Sequence, residues 1–468
     1  MVRREVVEMK WIISLFFLTF YGCTNLPPNI SMESPTYRTD NVEFYYDLTH
    51  RRENIVYTEH RIFNQMEKII ENADEFIVMD VFLFNNLYNA SEFNFPKVSS
   101  GIKKALIKKK KENKDIKIYF ITDEINTFYG VYNTNELEEL EKTGIVVILT
   151  DLTETNGANK VYSTFWKYFF SWFGTGGGGW LTNPFSPEAP KVTIRAYLKL
   201  INLKGNHRKV LVTEKEALVT SANPHSASGY HSNIGFKFDG GIINSVVESE
   251  KAVGELSRIK LELPIVEFHN KGIYEIQLLT EGKIGDTLDI DIDNTQSGDE
   301  IDIGMFYLGD KIIVKKLIDA AKRDVKIRLI LDENKEAFGM KKTGIPNKVT
   351  SKKLIDKSKG KIEVRWYRSS GEQYHTKLVV IKSPDKMIIN GGSANLTKRN
   401  IRDYTLDTNI RVVAPLNSKL AIDIEQYFDM LWNDDSDTYI IEKEKLEDGY
   451  ISNKILYDIQ NISGFSTY

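Results

Sequence analysis

The chain has 468 residues, which at about 150 residues per domain suggests three domains or two large ones. Its charges nearly cancel, with 62 Lys and Arg against 65 Asp and Glu, and 41% of its residues are hydrophobic. This composition excludes a disordered chain and a polytopic membrane protein, and it weighs against a protein whose main task is to grip polyanions. The single cysteine, Cys23, excludes an internal disulfide, a cysteine-based zinc knuckle and an iron–sulfur cluster.

A short apolar run behind a positive charge lies near the start of the chain, within residues 9–23. The run has about a dozen residues, whereas a helix needs about 20 to cross a bilayer. It predicts a signal peptide over 1–23, followed by a linker over 24–45. Gly22 directly before Cys23 resembles a bacterial lipoprotein signal, which predicts a lipid anchor at Cys23 and a membrane-associated protein outside the cytoplasm, in the cell envelope. The alternatives are an uncleaved signal anchor and a buried helix with an inert thiol.

An internal repeat organises the rest of the chain. Each half has a buried strand, a lysine-rich amphipathic helix, a second strand that ends in Asp-Glu and a third strand. The strands are expected at 75–83, 116–124 and 144–149 in one half, and at 300–308, 325–333 and 361–367 in the other. This order predicts an α/β fold built from βαβ units. The predicted halves are 46–245 and 275–435, with a linker over 246–274 and a C-terminal tail over 436–468.

The first half carries an aromatic insertion over 161–185 that the second half lacks. Three of the six tryptophans lie between 166 and 180, next to a glycine-rich loop. Four aromatic residues at helical spacing predict one aromatic helix face: Tyr162, Trp166, Phe169 and Phe173. Such side chains favour the bilayer interface, so we interpret the insertion as a lid or acyl-chain-binding element at the mouth of a site. The alternative is an ordinary helix that caps the core.

Late in each half comes the same pair of motifs. The first half has His207-Arg208-Lys209 and then Thr220-Ser221-Ala222-Asn223, and the second has His375-Thr376-Lys377 and then Gly392-Ser393-Ala394-Asn395. On a strand, the His and Lys of each motif point to the same face. An imidazole beside a fixed ammonium suits phosphate chemistry, and the Ser-x-Asn turn can add a hydroxyl and an amide. A single copy would indicate no more than a half-exposed strand, but two copies at the same place in a repeat are not explained in that way.

These motifs resemble the phospholipase D superfamily, whose hallmark is His-x-Lys, an acid, and then Gly-Ser-x-Asn in each half. The resemblance extends from about residue 50 to residue 435. It implies two homologous α/β/α sandwich halves packed around one shared active site. The chain departs from the pattern at the acid, which is held to be structural in the family. Glu214 is the acid of the first motif, whereas Lys382 holds that position in the second and Asp385 follows three residues later.

The resemblance also implies a two-step displacement at phosphorus that needs neither a metal nor a cofactor. His207 would attack the diester and form a phosphohistidine, while His375 would protonate the departing alcohol and then activate water or an acceptor alcohol. The non-bridging oxygens would be bound by Lys209, Lys377, Asn223 and Asn395. Ser221 and Ser393 would position these groups. The family also uses downstream acids to orient the histidines, and Asp239 and Asp407 are at plausible distances for that role.

The leading hypothesis is a phosphatidyltransferase or hydrolase that acts on glycerophospholipids at a membrane surface. Residues 203–209 look most like the cardiolipin synthase branch. One alternative is a nuclease of the same superfamily, but the near-neutral charge and the aromatic insertion make nucleic acid an unlikely partner. The other is a non-catalytic lipid-binding lipoprotein, against which two intact His/Lys/Asn sets argue. The oligomeric state is left open.

Other charged segments have simpler interpretations. Asp289, Asp291, Asp293 and Glu300 have calcium-loop spacing. The repeat, however, aligns this stretch with a helix at 61–72, so we predict a helix and no metal. The run Lys108 to Lys111 predicts the solvated end of a helix, or else a membrane-surface contact. The segment 195–209 is either a contact for anionic lipid or a solvated strand and loop.

Overall fold

The computed structural model describes residues 26, 28–52, 55–86, 95–337, 340–369, 371–441 and 450–466. The predicted signal peptide and Cys23 lie outside these residues. Within the described residues, no helix combines the length and the apolar character needed to cross a membrane.

The elements of the first half are numbered in chain order. Its strands are β1 (Tyr37–Thr39), β2 (Val42–Asp47), β3 (Thr49–Arg52), β4 (Ile55–Thr58), β5 (Phe76–Val81), β6 (Lys117–Asp123), β7 (Val146–Thr150), β8 (Lys209–Thr213), β9 (Ala217–Thr220) and β10 (Asn233–Phe238). Its α-helices are α1 (Arg61–Asn72), α2 (Val98–Glu112), α3 (Asn135–Lys142), α4 (Lys160–Phe169), α5 (Ile194–Leu200) and α6 (Ile242–Leu256).

The numbering continues through the second half. Its strands are β11 (Tyr274–Thr280), β12 (Glu300–Met305), β13 (Lys326–Leu331), β14 (Glu336–Ala337), β15 (Met340–Lys341), β16 (Ile362–Tyr367), β17 (Lys377–Lys382), β18 (Lys386–Gly392), β19 (Thr408–Pro415) and β20 (Ile440–Ile441). Its α-helices are α7 (Gly282–Asp293), α8 (Lys311–Lys322), α9 (Asn347–Ser358), α10 (Lys398–Ile401), α11 (Lys419–Trp432) and α12 (Tyr450–Ser463).

The internal repeat is visible in the strand order of the two large sheets. The first sheet runs β2-β10-β9-β8-β5-β6-β7, and the second contains the matching series β11-β19-β18-β17-β12-β13-β16. Within each series the three strands of the βαβ units are parallel, and the strand of the His-x-Lys motif pairs antiparallel with the first of them. The predicted fold of two homologous α/β halves is confirmed.

Apolar residues from both halves form one continuous core between the two sheets. Phe44 of β2 packs edge-on against Tyr427 of α11, with ring centroids 5.3 Å apart. Gly391 of β18 lies under Phe236 of β10, and a Cβ atom at Gly391 would lie 2.6 Å from that ring. The glycine therefore permits the close approach of the two sheets that brings the motifs of both halves together.

Three predicted boundaries differ from the observed elements. The predicted linker over 246–274 begins inside α6, because Val246, Val247 and Val253 are buried in the core. In the linker predicted over 24–45, β1 pairs with β11 of the opposite half. The predicted tail over 436–468 contains β20, which extends the second sheet, and α12, which packs on the second half through Tyr457.

The acidic stretch with calcium-loop spacing is helical, as predicted from the repeat. Asp289, Asp291 and Asp293 lie on α7, which matches α1 of the first half. Asp289 pairs with Arg402 at 2.9 Å, Asp291 pairs with Arg411 at 2.7 Å, and Asp293 pairs with a lysine of α8. These carboxylates therefore neutralise cations that hold α7 in place.

A fully buried arginine ties the first motif to both halves. Arg208, between His207 and Lys209, donates to Glu281 at 2.7 and 3.0 Å. It also pairs with Glu250 of α6 at 3.2 Å. Glu281 follows β11 of the second half and accepts the backbone N–H of Asp407 at 3.1 Å. The guanidinium thus links β8 and α6 to the segment of the second half that carries Asp407.

Arg208→Met is expected to lower the free energy of unfolding by about 3–5 kcal/mol, because it leaves two buried carboxylates without their cation. Urea unfolding followed by circular dichroism measures this change. Arg38→Met, which breaks an exposed ion pair with Glu275, is the matched control and should cost less than about 1 kcal/mol. A loss below about 1 kcal/mol for Arg208→Met would contradict the role of this network.

Candidate active site

Two backbone bridges between the halves bring the motifs together. The N–H of His207 donates to the carbonyl of Leu406 at 2.7 Å. At the second bridge, the N–H of Ser232 donates to the carbonyl of Gln373 at 2.9 Å, which matches the bond from Leu406 N–H to the carbonyl of Gly205 in the first. Each histidine therefore lies beside the start of a strand from the other half: His207 beside β19 and His375 beside β10.

Asp407 is the orienting partner of His207. Its Oδ1 lies 2.7 Å from Nδ1 of His207. Burial alone would raise the pKa of Asp407, but hydrogen bonds from His207 and Asn400 and the charge of Lys209 lower it below its usual value. The ionised carboxylate accepts a hydrogen bond from Nδ1–H of His207. In this tautomer Nε2 is unprotonated and carries a free lone pair. Of the two candidate acids, Asp239 does not reach the site, because it lies at the far end of β10 and binds Thr39 at 2.6 Å.

His375 is oriented by an amide instead of a carboxylate. Its Nδ1 lies 3.1 Å from Oδ1 of Asn233, which occupies the position in β10 that Asp407 occupies before β19. Ser221 and Ser393 hold these two orienting groups at 3.1 and 2.9 Å. The motif search missed Asn233, although aligning the two strands of the repeat would have found it.

A third histidine lies next to His375. The ring centroids of His231 and His375 are 5.8 Å apart, and Nδ1 of His231 accepts the backbone N–H of Gln373 at 3.1 Å. Burial lowers the pKa of His231 to about 3, so the ring is neutral and carries its proton on Nε2. No sequence pattern singled out this residue.

The two motif lysines are buried without carboxylate partners among the described residues. Nζ of Lys209 donates to the carbonyl of His207, and Nζ of Lys377 donates to the carbonyl of His375, each at 2.7 Å. Burial lowers the pKa of Lys209 to about 7, and burial together with the charge of Lys209 lowers the pKa of Lys377 well below its usual value. Two desolvated ammonium groups that repel each other form a centre that an anion would stabilise.

Both histidines are neutral at pH 7 in this environment. Burial, and then the charge of Lys209, lowers the pKa of His207 to about 4. Burial and the charge of Lys377 lower the pKa of His375 well below its usual value. A bound phosphate would offset the lysine charges and raise the pKa of both rings, so His375 could carry a proton in the complex.

The asparagines of the motifs lie at the same centre. Asn223 accepts the backbone N–H of Leu83 at 3.3 Å through Oδ1, which leaves its amide N–H groups for a ligand. Asn395 is buried, and its Oδ1 has no hydrogen-bond partner among the described residues. Both amides can therefore turn a donor toward phosphate oxygens.

The acids of the motifs lie away from this centre. Glu214 follows β8 at its far end and accepts the backbone N–H of Asp74 at 2.7 Å and of Glu75 at 3.2 Å. This contact fits the structural role that the resemblance implies. Asp385 does not reproduce it: the residue is exposed in the turn between β17 and β18, because Ser383 and Pro384 lengthen that turn.

The aromatic insertion forms α4 and a following turn, but its exposed face differs from the predicted one. Trp166 points inward and is 7% exposed, while Tyr162 donates to the carbonyl of Leu198 at 2.7 Å. The exposed face contains Phe165, Tyr168, Phe169, Trp172, Phe173 and, beyond the turn, Trp180. Trp172 is 79% exposed. The buried side of α4 carries Ser163 and Trp166, which leaves the opposite set of aromatic rings in solvent.

The insertion is anchored near the first motif. Trp166 lines a small cavity together with Asp123, Lys199 and Lys204. Asp123 in turn accepts the backbone N–H of Asn206, the residue before His207, at 2.7 Å. The aromatic surface is therefore connected to β8, the strand of the first motif, through a short series of contacts.

Apart from Lys209, the basic segment over 195–209 does not present free cations to a lipid. Its charges bind carbonyl groups or carboxylates within the protein: Arg195 with Phe173 and Gly176, Lys199 with Glu124, Lys204 with Leu152 and Thr153, and Arg208 with Glu281. The run Lys108 to Lys111 lies at the end of α2, as predicted.

Comparisons with known proteins agree with this geometry. Residues 289–432 match the family described as "Cardiolipin synthase, PLD-like domain". Phosphatidylserine synthase from Haemophilus influenzae Rd KW20 is 11% identical, with a TM-score of 0.57 over 93% of this chain and 95% of that chain. At this identity the likeness shows a shared fold. No curated protein sequence matches the chain.

Two further solved structures align with lower TM-scores. Polyphosphate kinase from Porphyromonas gingivalis is 13% identical, with a TM-score of 0.47 over 90% of this chain and 53% of that chain. Nuc from Salmonella typhimurium, a phospholipase D family member, is 18% identical, with a TM-score of 0.27 over 36% of this chain and 99% of that chain.

Inorganic phosphate is expected to raise the unfolding midpoint of the wild-type protein, and Lys209→Met should abolish this effect.

The free energy of unfolding should also depend on pH. The pKa of Lys209 is about 7 when folded against 10.5 normally, so the unfolded chain holds the extra proton between these values. Stability should therefore rise with pH across this window in the wild type, and Lys209→Met should lose that contribution.

Thermal melts with and without phosphate, and urea titrations at pH 7 and pH 9.5, measure both effects. Lys315→Met, which removes an exposed lysine of α8, is the control. A phosphate effect that survives in Lys209→Met would show that the anion binds elsewhere.

Proposed function

We propose that the protein is a phosphodiesterase or phosphatidyltransferase that acts on glycerophospholipids through a phosphohistidine. The match of residues 289–432 to the family described as "Cardiolipin synthase, PLD-like domain" and the fold shared with a phosphatidylserine synthase support this proposal. The observation that carries this proposal is the single centre in which two His/Lys/Asn sets meet across the halves. Its orienting groups, Asp407 and Asn233, each reach the histidine of the opposite half.

In the first step, Nε2 of His207 attacks phosphorus while the bond to the departing alcohol breaks. The new P–N bond places positive charge on the imidazole ring, and the carboxylate of Asp407 on Nδ1–H stabilises that charge. His375 gives its proton to the alcohol oxygen as that oxygen leaves. In the second step, His375 takes a proton from water or from an acceptor alcohol, whose oxygen attacks phosphorus and breaks the P–N bond.

The unequal orienting groups support this division of roles. A histidine that becomes a phosphorylated cation gains from an anionic partner, which His207 has in Asp407. Asn233 supplies only a neutral amide, which leaves the protonated form of His375 more acidic and so a better proton donor. Lys209 and Lys377 bind the non-bridging oxygens and stabilise the negative charge of the phosphorane.

The exposed aromatic rings of the insertion support a lipid substrate and a membrane surface as partners. Trp172 and Trp180 are 79% and 65% exposed, and such amphipathic rings favour the headgroup region of a bilayer. In this proposal the lipid anchor at Cys23 keeps the protein at the envelope membrane, outside the cytoplasm, where its substrate pool lies. The cardiolipin synthase-like reaction transfers the phosphatidyl group to a lipid hydroxyl.

One experiment separates this proposal from its rivals. Protein lacking residues 1–23 is incubated with phosphatidylglycerol vesicles and, separately, with single-stranded DNA, and both sets of products are analysed. Release or transfer of phosphatidyl groups supports the proposal, and cleavage of DNA alone supports a nuclease. Lipid binding without turnover supports the non-catalytic lipoprotein.

His207→Ala and His375→Ala are each expected to reduce turnover of phosphatidylglycerol by at least about 100-fold, because nucleophile and general acid act in the same step. Incubation of His375→Ala with a diester that has an acidic leaving alcohol should still trap a phosphoenzyme. His269→Ala, at an exposed histidine in the segment between α6 and β11, is the control. Substantial residual turnover in His207→Ala would refute the nucleophile assignment.

Replacing Phe169, Trp172, Phe173 and Trp180 with serine should reduce activity on vesicles much more than activity on a short-chain soluble diester. These rings are exposed, so their loss removes interfacial contact without disturbing the core. Vesicle co-sedimentation and the two rates measure the difference. The exposed residue Ile265, changed to serine, is the matched control for lost apolar surface. Equal losses on both substrates would indicate that α4 only caps the core.

A further inference from the structure

Arg399 is a largely buried cation beside the catalytic centre that the mechanism above does not use. It lies on the short helix α10, directly after the Ser-x-Asn turn of the second half. Nη1 donates to the carbonyl of Ser466 at 3.3 Å, and its buried Nε has no hydrogen-bond partner among the described residues.

Four other arginines of low exposure are paired with carboxylates, whereas the half-buried Arg323 and Arg365 donate to backbone carbonyl groups. The pairs are Arg208 with Glu281, Arg328 with Asp302, Arg402 with Asp310 and Arg411 with Asp291. Arg399 forms no such pair within the described residues. A desolvated guanidinium without a counter-ion is unusual, because removing the charge from water costs free energy that a partner normally offsets.

The groups around Arg399 come from both halves. Its charge interacts with the carboxylate of Asp407, which contacts His207, and with the phenol oxygens of Tyr129 and Tyr307. Tyr129 follows β6 of the first half, and Tyr307 follows β12 of the second. Lys342 also belongs to this group, because its Nζ donates to Oη of Tyr307 at 3.2 Å.

Arg399, Lys342 and the hydroxyls of Tyr129 and Tyr307 thus form a group of cations and hydrogen-bond donors. The ring of Tyr307 packs on Phe306 with centroids 4.0 Å apart, and Nζ of Lys377 lies 5.0 Å from the centroid of Phe306, so the group adjoins the centre of the motif lysines. We propose that this group is a second anion subsite, which binds a phosphate or carboxylate carried by the substrate close to its scissile diester. A guanidinium suits this task because it can donate two parallel hydrogen bonds to one anionic group.

The subsite deepens the proposed function, on which its assignment to a substrate rests. It selects phospholipids with two anionic groups near each other over those with a single phosphodiester. Anion binding itself does not require turnover, so the two proposals can fail separately.

The test is a calorimetric titration of the full chain in non-ionic detergent with phosphate, pyrophosphate and tripolyphosphate at pH 6. Wild-type protein should bind pyrophosphate or tripolyphosphate at least about 10-fold more tightly than phosphate, the range expected for one charge-assisted contact. Arg399→Gln should remove most of this preference and change the affinity for phosphate by less than about threefold. Lys342→Gln, on a different segment, should reduce the preference in the same direction.

Lys398→Gln is the matched control, because Lys398 is the exposed neighbour on α10 and carries the same charge. The Lys398→Gln variant should still bind pyrophosphate and tripolyphosphate more tightly than phosphate. The proposed subsite would be refuted if Arg399→Gln lowered the affinity for all three anions equally, or if the wild-type protein showed no preference among them. Neither result would contradict the proposed catalytic centre. If no anion bound to the wild type, both proposals would fail. Melting curves of each variant exclude loss of folding as the cause.

Discussion

The hydrogen bond between His207 and Asp407 is the interaction on which the rest of the centre depends, because its partners belong to different halves. It forms only when the two sheets pack in one register, which the close contact of Gly391 with Phe236 allows. Arg208 and Glu281 stabilise the same packing of the halves, because Glu281 binds both Arg208 of the first half and the backbone N–H of Asp407 of the second. The orientation of His207 is thus coupled to the packing of the two halves.

The same constraint explains why the centre is electrostatically unfavourable before a ligand arrives. The motif places Lys209 and Lys377 at strand starts that the packing of the halves buries against each other. Neither has a carboxylate partner in the described part of the chain, so each charge depends on an incoming anion. We expect phosphate binding to recover the stability given up here, which is the arrangement of a preorganised site.

The repeat makes the two sides of the centre similar, and its small departures make them different. Asp407 and Asn233 occupy matching positions, yet one is an anion and the other is neutral. His231 lies only on the side of His375, and Arg399 lies beside Asp407. An exact duplicate could not assign separate roles to its two histidines. The asymmetry therefore carries the chemical direction that we propose for the reaction.

Periodicity and motif spacing were sufficient to predict the two α/β halves, the helix at the acidic stretch and the six His, Lys and Asn residues of the centre, because these features depend on local order along the chain. They could not identify Asn233 and His231 as partners of His375, choose Asp407 over Asp239, or show that Trp166 points inward. Those outcomes depend on which strand of one half lies beside which histidine of the other, and on which face of α4 the core covers. The contacts of the histidines join residues more than a hundred positions apart, so the packing of the two sheets decides them, whereas Trp166 meets its neighbours within the first half.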